Sequence, residues 1–100
     1  MAGPQDEFLR KMKDQFDELN HKWNIERNKL EAKAQHASVE ARKKFEAEWE
    51  ALDQLRRQMK EKIIDLEVAG ENAWGDVRQG TEKAWGALSE AFKKAASRFK

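Results

Sequence analysis

Apolar side chains recur along this chain at helical spacing, set among charged ones. Every eleventh position from Phe8 reads Phe8, Leu19, Leu30, Ala41, Leu52, Ile63, Trp74, Trp85 and Ala96, all of them apolar. Eleven residues complete three turns at about 3.67 residues per turn, so these side chains share one side of a nearly straight helix. Their companions change along the chain. Met12, Trp23, Ala34 and Phe45 follow their anchors by four residues, whereas Leu55, Leu66, Val77, Leu88 and Phe99 follow theirs by three. The change falls near Trp49, Leu52 and Leu55. From Phe45 to Leu66 a heptad also fits, through Phe45, Trp49, Leu52, Met59, Ile63 and Leu66, with Arg56 as its polar break. The apolar face therefore rotates at mid-chain. Between Leu30 and Phe45 the stripe thins to Ala34, Ala37 and Ala41, residues that bury little area or let two helices approach closely.

This pattern predicts an all-α protein. After Pro4 no proline removes a backbone donor, so a helix meets no forced stop. The expected elements are one long coiled-coil helix over 5–69, about Asp6 to Val68, and a shorter amphipathic helix over 70–100, about Glu71 to Arg98. The pair forms either a helical hairpin or one continuous helix. Gly70 is the best candidate for the break, because glycine accepts the left-handed conformation that ends many helices. Beyond it Gly75, Gly80 and Gly86 each cost about 1 kcal/mol inside a helix, so this segment needs a partner surface to stay ordered. On a helical wheel Trp74, Val77, Thr81, Trp85, Leu88, Phe92, Ala95 and Phe99 share one side. That face suits a membrane interface, a groove between partner helices, or the core of a hairpin or oligomer.

Composition agrees with helix. Ala, Glu, Lys, Leu and Arg make up just over half of the chain. Charged residues reach 39%, yet the net charge is only +1, and balanced charge on strong helix formers argues against disorder. Four pairs have the favourable i, i+4 order: Glu7–Lys11, Glu18–Lys22, Glu40–Lys44 and Glu90–Lys94. Each contributes roughly 0.2–0.5 kcal/mol, enough to keep an exposed face helical. Near-neutral charge gives no basic surface for nucleic acid, and no specific nucleic-acid partner is expected. No apolar run reaches the length of a membrane span, and the first residues lack the basic and apolar blocks of a signal peptide. With no cysteine there is no disulfide framework.

Catalytic and metal-binding patterns are missing. His21 and His36 are too far apart for an i, i+4 metal pair, and no glycine-rich loop follows a strand. Ser38, Ser89 and Ser97 have no histidine at a helical neighbour position. The row Asn20, Asn24, Asn28 is either solvated or sets coiled-coil register. No catalytic, cofactor or metal site is expected, and the chain does not read as an enzyme. The residues expected to carry function form an interaction stripe: Phe8, Leu19, Leu30, Phe45, Trp49, Leu52, Met59, Ile63, Leu66, Trp74, Val77, Trp85, Leu88, Phe92 and Phe99.

Residues 72–100 carry two Ala-Trp pairs eleven apart, Ala73-Trp74 and Ala84-Trp85. Ala91-Phe92 follows, and the segment ends Ala95-Ala96-Ser97-Arg98-Phe99-Lys100. This segment resembles the C-terminal signature of a family of small bacterial coiled-coil proteins associated with salt and general stress. The stretch from Lys29 to Ala34 is similar to the N-terminal half of that family, in heptad-like text that is generic. Gly75 and Gly86 stand where the family pattern has acidic residues. The resemblance implies a cytoplasmic, non-catalytic helical protein. Together with the stripe it leads to the expectation of a self-associating homo-oligomer. A peripheral protein on an anionic membrane surface and an adaptor for a protein client are the alternatives.

Overall fold

The computed structural model describes residues 4–98. It is all-α, with three helices and, among the described residues, no strand: α1 spans Pro4–Gln35, α2 Val39–Val68 and α3 Glu71–Arg98. The helices lie side by side in a bundle measuring 53 × 19 × 17 Å. A helix of about 32 residues is roughly 48 Å long, so each helix runs nearly the full length of the body. Contacts fix the directions. Phe8 meets Trp74 and Trp23 meets Phe92, so α1 and α3 run parallel. Lys13 pairs with Glu67, so α2 runs back against α1.

The helix expected over 5–69 is two helices, broken at His36–Ser38 within the stretch where the stripe thins. No glycine or proline makes this turn. The end of α1 tightens through His36 N–H to Lys33 O (3.2 Å) and Ala37 N–H to Ala34 O (3.3 Å). Ser38 then leaves the helical region at φ −64°, ψ 163°, and its hydroxyl accepts from Ala41 N–H at 3.1 Å. That bond satisfies one of the orphan donors at the start of α2. The Arg42 guanidinium reaches back to Ala34 O at 3.2 and 3.3 Å, covering a carbonyl at the end of α1. The turn is thus closed by a serine cap and an arginine from the next helix.

The second turn falls at Ala69–Gly70, but not by the expected left-handed glycine. Among the described residues no glycine has a positive φ. Ala69 makes the bend in extended conformation (φ −69°, ψ 135°). Gly70 instead immediately precedes α3, its carbonyl accepting from Ala73 N–H at 3.1 Å.

Within each helix the most buried positions step by seven. Met12 and Leu19, with Trp23 and Leu30, do so in α1; Leu52, Met59 and Leu66 in α2; Trp74, Thr81, Leu88 and Ala95 in α3. The heptad read from Phe45 to Leu66 is the inner face of α2, Phe45 half-buried and the rest of the apolar set buried. The eleven-residue frame is not the packing period. It places three positions on each helix, drifting about 20° per step, so over so short a run it stays within one face.

Candidate interaction surface

Most of the predicted stripe is consumed inside the bundle. Leu19, Leu30, Trp49, Leu52, Met59, Ile63, Leu66, Trp74 and Leu88 are buried. Phe8, Phe45, Val77, Trp85 and Phe92 are half-buried. Phe99 lies outside the described residues. Met12, Trp23, Thr81 and Ala95 complete the core. Thr81 is a polar residue with no exposure, tolerated because its hydroxyl donates to Val77 O of its own helix at 2.9 Å. The same oxygen lies 3.5 Å from Lys62 O, so the backbones of α2 and α3 pass close there.

Arg56, the polar break in the heptad, is a built feature. It donates to Asp53 Oδ1 at 3.0 and 2.9 Å and to Asn20 Oδ1 at 3.2 Å, and its guanidinium lies 4.5 Å above the Trp23 ring. Trp23 in turn packs on Trp49 at 4.3 Å between centroids. The first asparagine of the i, i+4 row therefore helps to hold α1 and α2 in register; Asn24 and Asn28 are exposed. Arg78 plays a similar part at the other end, 4.5 Å above Phe8 and 5.8 Å above Trp74. Each such contact contributes on the order of 0.5–2 kcal/mol, according to how well water is excluded.

The seams beside α1 stay partly open. Between α1 and α2 runs a groove in two stretches that share Arg56 and Arg57. One, of about 580 Å³, has Phe16, Ile63 and Ile64 as its apolar lining. The other, of about 410 Å³, is lined by Trp23, Leu30 and Trp49. Between α1 and α3 a groove of about 340 Å³ exposes parts of Trp85 and Phe92. It also contains Gln15 Oε1 and Glu26 Oε2, which are shielded from solvent and have no donor among the described residues.

Two of the four expected i, i+4 ion pairs are seen on the surface. Glu18–Lys22 closes at 3.2 Å and Glu90–Lys94 at 3.9 Å. Between helices, Lys13–Glu67 (3.0 Å) links α1 to α2, and Arg98 pairs with Glu48 across α3 and α2. Being exposed, each contributes less than about 1 kcal/mol. Among the described residues, no group of three His, Asp or Glu side chains is placed to hold a metal ion. No described helix is long and apolar enough to cross a membrane. Comparison with known protein families, with characterised proteins and with solved structures finds no match to this chain.

Proposed function

We propose that this protein works by helix–helix association rather than by catalysis, and that its partner is a second copy of itself. The α1–α2 groove carries this reading. Its apolar lining, Phe16, Ile63 and Ile64, lies beside a helix, α2, whose charged outer positions can pair with those of another helix. Such a surface takes a helix laid along it, with apolar anchors every three or four residues. The closed core changes the reason for expecting an oligomer. One chain already buries its heptad faces, so association would add to a folded unit rather than complete an unfolded one. Sedimentation equilibrium of the full chain tests this: a dimer at micromolar concentration is expected, and a monomer up to hundreds of micromolar would refute it.

The setting proposed with it, a bacterial cytoplasmic response to salt or general stress, rests on the resemblance of residues 72–100. A protein client in the same groove is the adaptor form of the reading. Membrane-surface binding is the second reading, supported by Trp85 and Phe92, which reach the surface in the α1–α3 groove. Trp74 and Leu88, which would also have to meet lipid, are core residues, so lipid binding requires α1 to swing away. Tryptophan emission with anionic vesicles separates the two: a blue shift with loss of α1 protection supports lipid, and an unchanged spectrum supports association between folded bundles.

A further inference from the structure

The turn between α1 and α2 is built from residues that would also serve inside a helix. Residues 33–42 contain no glycine or proline, and among the described residues none has a positive φ. Ser38 stands outside the helix through its ψ of 163°; its φ of −64° is already helical. The groups capped in the turn are those that a straight helix would pair. Ala34 O, held by Arg42, would accept from Ser38 N–H, and Ala41 N–H, held by the Ser38 hydroxyl, would donate to Ala37 O. Opening the turn into one helix leaves neither group without a partner. The faces agree as well. In a hairpin nothing ties the direction of the α1 face to that of α2 across the turn. Extended along one helix at about 100° per residue, however, Leu19, Trp23 and Leu30 before the turn and Leu52, Met59 and Ile63 after it all fall within an arc of about 80°. This is the eleven-residue stripe, which passes through the break by way of Leu30, Ala41 and Leu52.

We infer that two copies of this chain exchange α1 across an opened His36–Ser38 turn. In the exchanged dimer α1 and α2 of each copy form one helix, and each α1 docks on the α2–α3 hairpin of the other. The inference rests on the reading that the partner is a second copy. It goes beyond the groove contact by naming the segment which that copy contributes. The seat itself selects its occupant. A second copy's α1 offers the same contacts that hold the chain's own, Phe8 on Trp74 and Trp23 on Trp49 and Phe92. Exchange of an identical element is for this reason a low-cost route to a dimer. Trp23–Trp49, Asn20–Arg56 and Lys13–Glu67 are each centred close to the turn, so two straightened chains that cross antiparallel there remake every pair between copies. Of the three helices, α1 is the most readily released. Grooves flank it on both sides, whereas the backbones of α2 and α3 approach more than any other pair. The stripe also runs through the second turn, but a helix joined there would contain Gly70, among the poorest helix residues, and would require the tight hairpin to open.

Shape, cross-linking and the hinge test the inference on the full chain. At 1.5 Å per residue a joined helix over 4–68 is roughly 100 Å long, against 53 Å for the closed bundle. Small-angle X-ray scattering should give the dimer that longer dimension. Because the chain has no cysteine, Lys13→Cys and Glu67→Cys each introduce a single thiol. Refolded together from urea at high concentration, these two variants should be joined by a short bifunctional thiol reagent, since exchange makes the two positions neighbours on different chains. Val39→Pro locks the turn closed. Val39 is the first residue of α2 and is 68% exposed, a position where proline is favoured, and Ser38 already has the extended conformation that proline requires of its predecessor. Inside a joined helix the same proline would break it. The variant should keep its helical circular dichroism and dimerise at least about tenfold more weakly. Ser38→Ala removes the cap of the closed turn and suits the joined helix, so it should strengthen dimerisation at least about fivefold. A monomeric native chain would overturn both the self-association reading and the exchange. A dimer as short as the closed bundle, one that never cross-links Lys13→Cys to Glu67→Cys, or one undiminished in Val39→Pro would leave self-association standing and overturn the exchange. Scattering and cross-linking use the native hinge, so they decide even where Val39→Pro fails to fold.

Discussion

The α2–α3 hairpin and the α1 seams solve the same packing problem in opposite ways. The inner face of α3 alternates bulk with small residues: Trp74, Thr81, Leu88 and Ala95 in one row, Val77, Ala84 and Ala91 in the other. Small residues let the helix axes come close, and the backbones of α2 and α3 approach more than any other pair. The inner face of α1 carries Phe8, Met12, Phe16, Leu19, Trp23 and Leu30, with no small residue among them. Those side chains reach the core across a wider gap, and grooves remain on both sides of the helix. Burying a large ring and bringing two backbones together are therefore different achievements. The hairpin is the compact unit, and α1 is held to it by rings, two arginines stacked on aromatics and a few surface ion pairs.

The largest effects should come from emptying the core, and the two sides should fail differently. Trp23→Ala removes the residue that joins α1 to both neighbours, at a cost of about 3–5 kcal/mol, and Leu88→Ala, at a fully buried site, should cost about 2–5 kcal/mol. Urea unfolding gives the magnitudes. Amide exchange tests the comparison: Trp23→Ala should lose protection first in α1, while Leu88→Ala should lower it throughout. Identical exchange maps would show that the hairpin is not the more stable unit.

Overpacking should expose the contrast next. Thr81→Leu puts a larger side chain where the α2 and α3 backbones pass close, at a site with no exposure, and should cost about 1–3 kcal/mol. A bulkier group pointing into the open α1–α3 groove, Ser89→Leu, should cost less than half as much, both read from the urea midpoint. Equal penalties would mean that the α1 seam is as tight as the hairpin.

The turns rank below the core. Ser38→Ala removes the only side-chain cap described for α2 and should destabilise by about 1 kcal/mol. The smallest change should be a gain. Gly75 and Gly86 are helical, and an added Cβ at either would meet no atom within 4 Å. Gly75→Ala and Gly86→Ala should each stabilise by about 0.5–1 kcal/mol, raising the melting temperature by a few degrees. A loss of stability at either site would place an undetected close contact on the outer face of α3.

The inner faces were legible because burial follows local periodicity. The heptad from Phe45 to Leu66 and the wheel through Trp74, Thr81, Leu88 and Ala95 both name residues that are buried or half-buried in the bundle. Ordering these residues into helices requires only the backbone repeat and favourable helix formers. The seven- and eleven-residue spacings could not be separated from sequence, because each drifts by about 20° per repeat, in opposite senses, and a thirty-residue helix holds too few repeats to show it.

The amino-acid sequence by itself determined that this protein is helical, that its apolar side chains lie on one face of each segment, and that the chain weakens near Ala37 and Gly70. Tertiary structure decided the rest. The turn at His36–Ser38 has no glycine or proline to announce it. It exists because folding back buries Trp23 on Trp49 and Leu30 beside it, a gain no straight helix can realise in one chain, and because Ser38 and Arg42 are placed to satisfy the freed backbone groups. Whether the stripe served a neighbouring chain or the chain itself was likewise undecided by spacing, since an apolar face is chemically the same toward either. Only the packed bundle shows which of these faces the chain itself already covers.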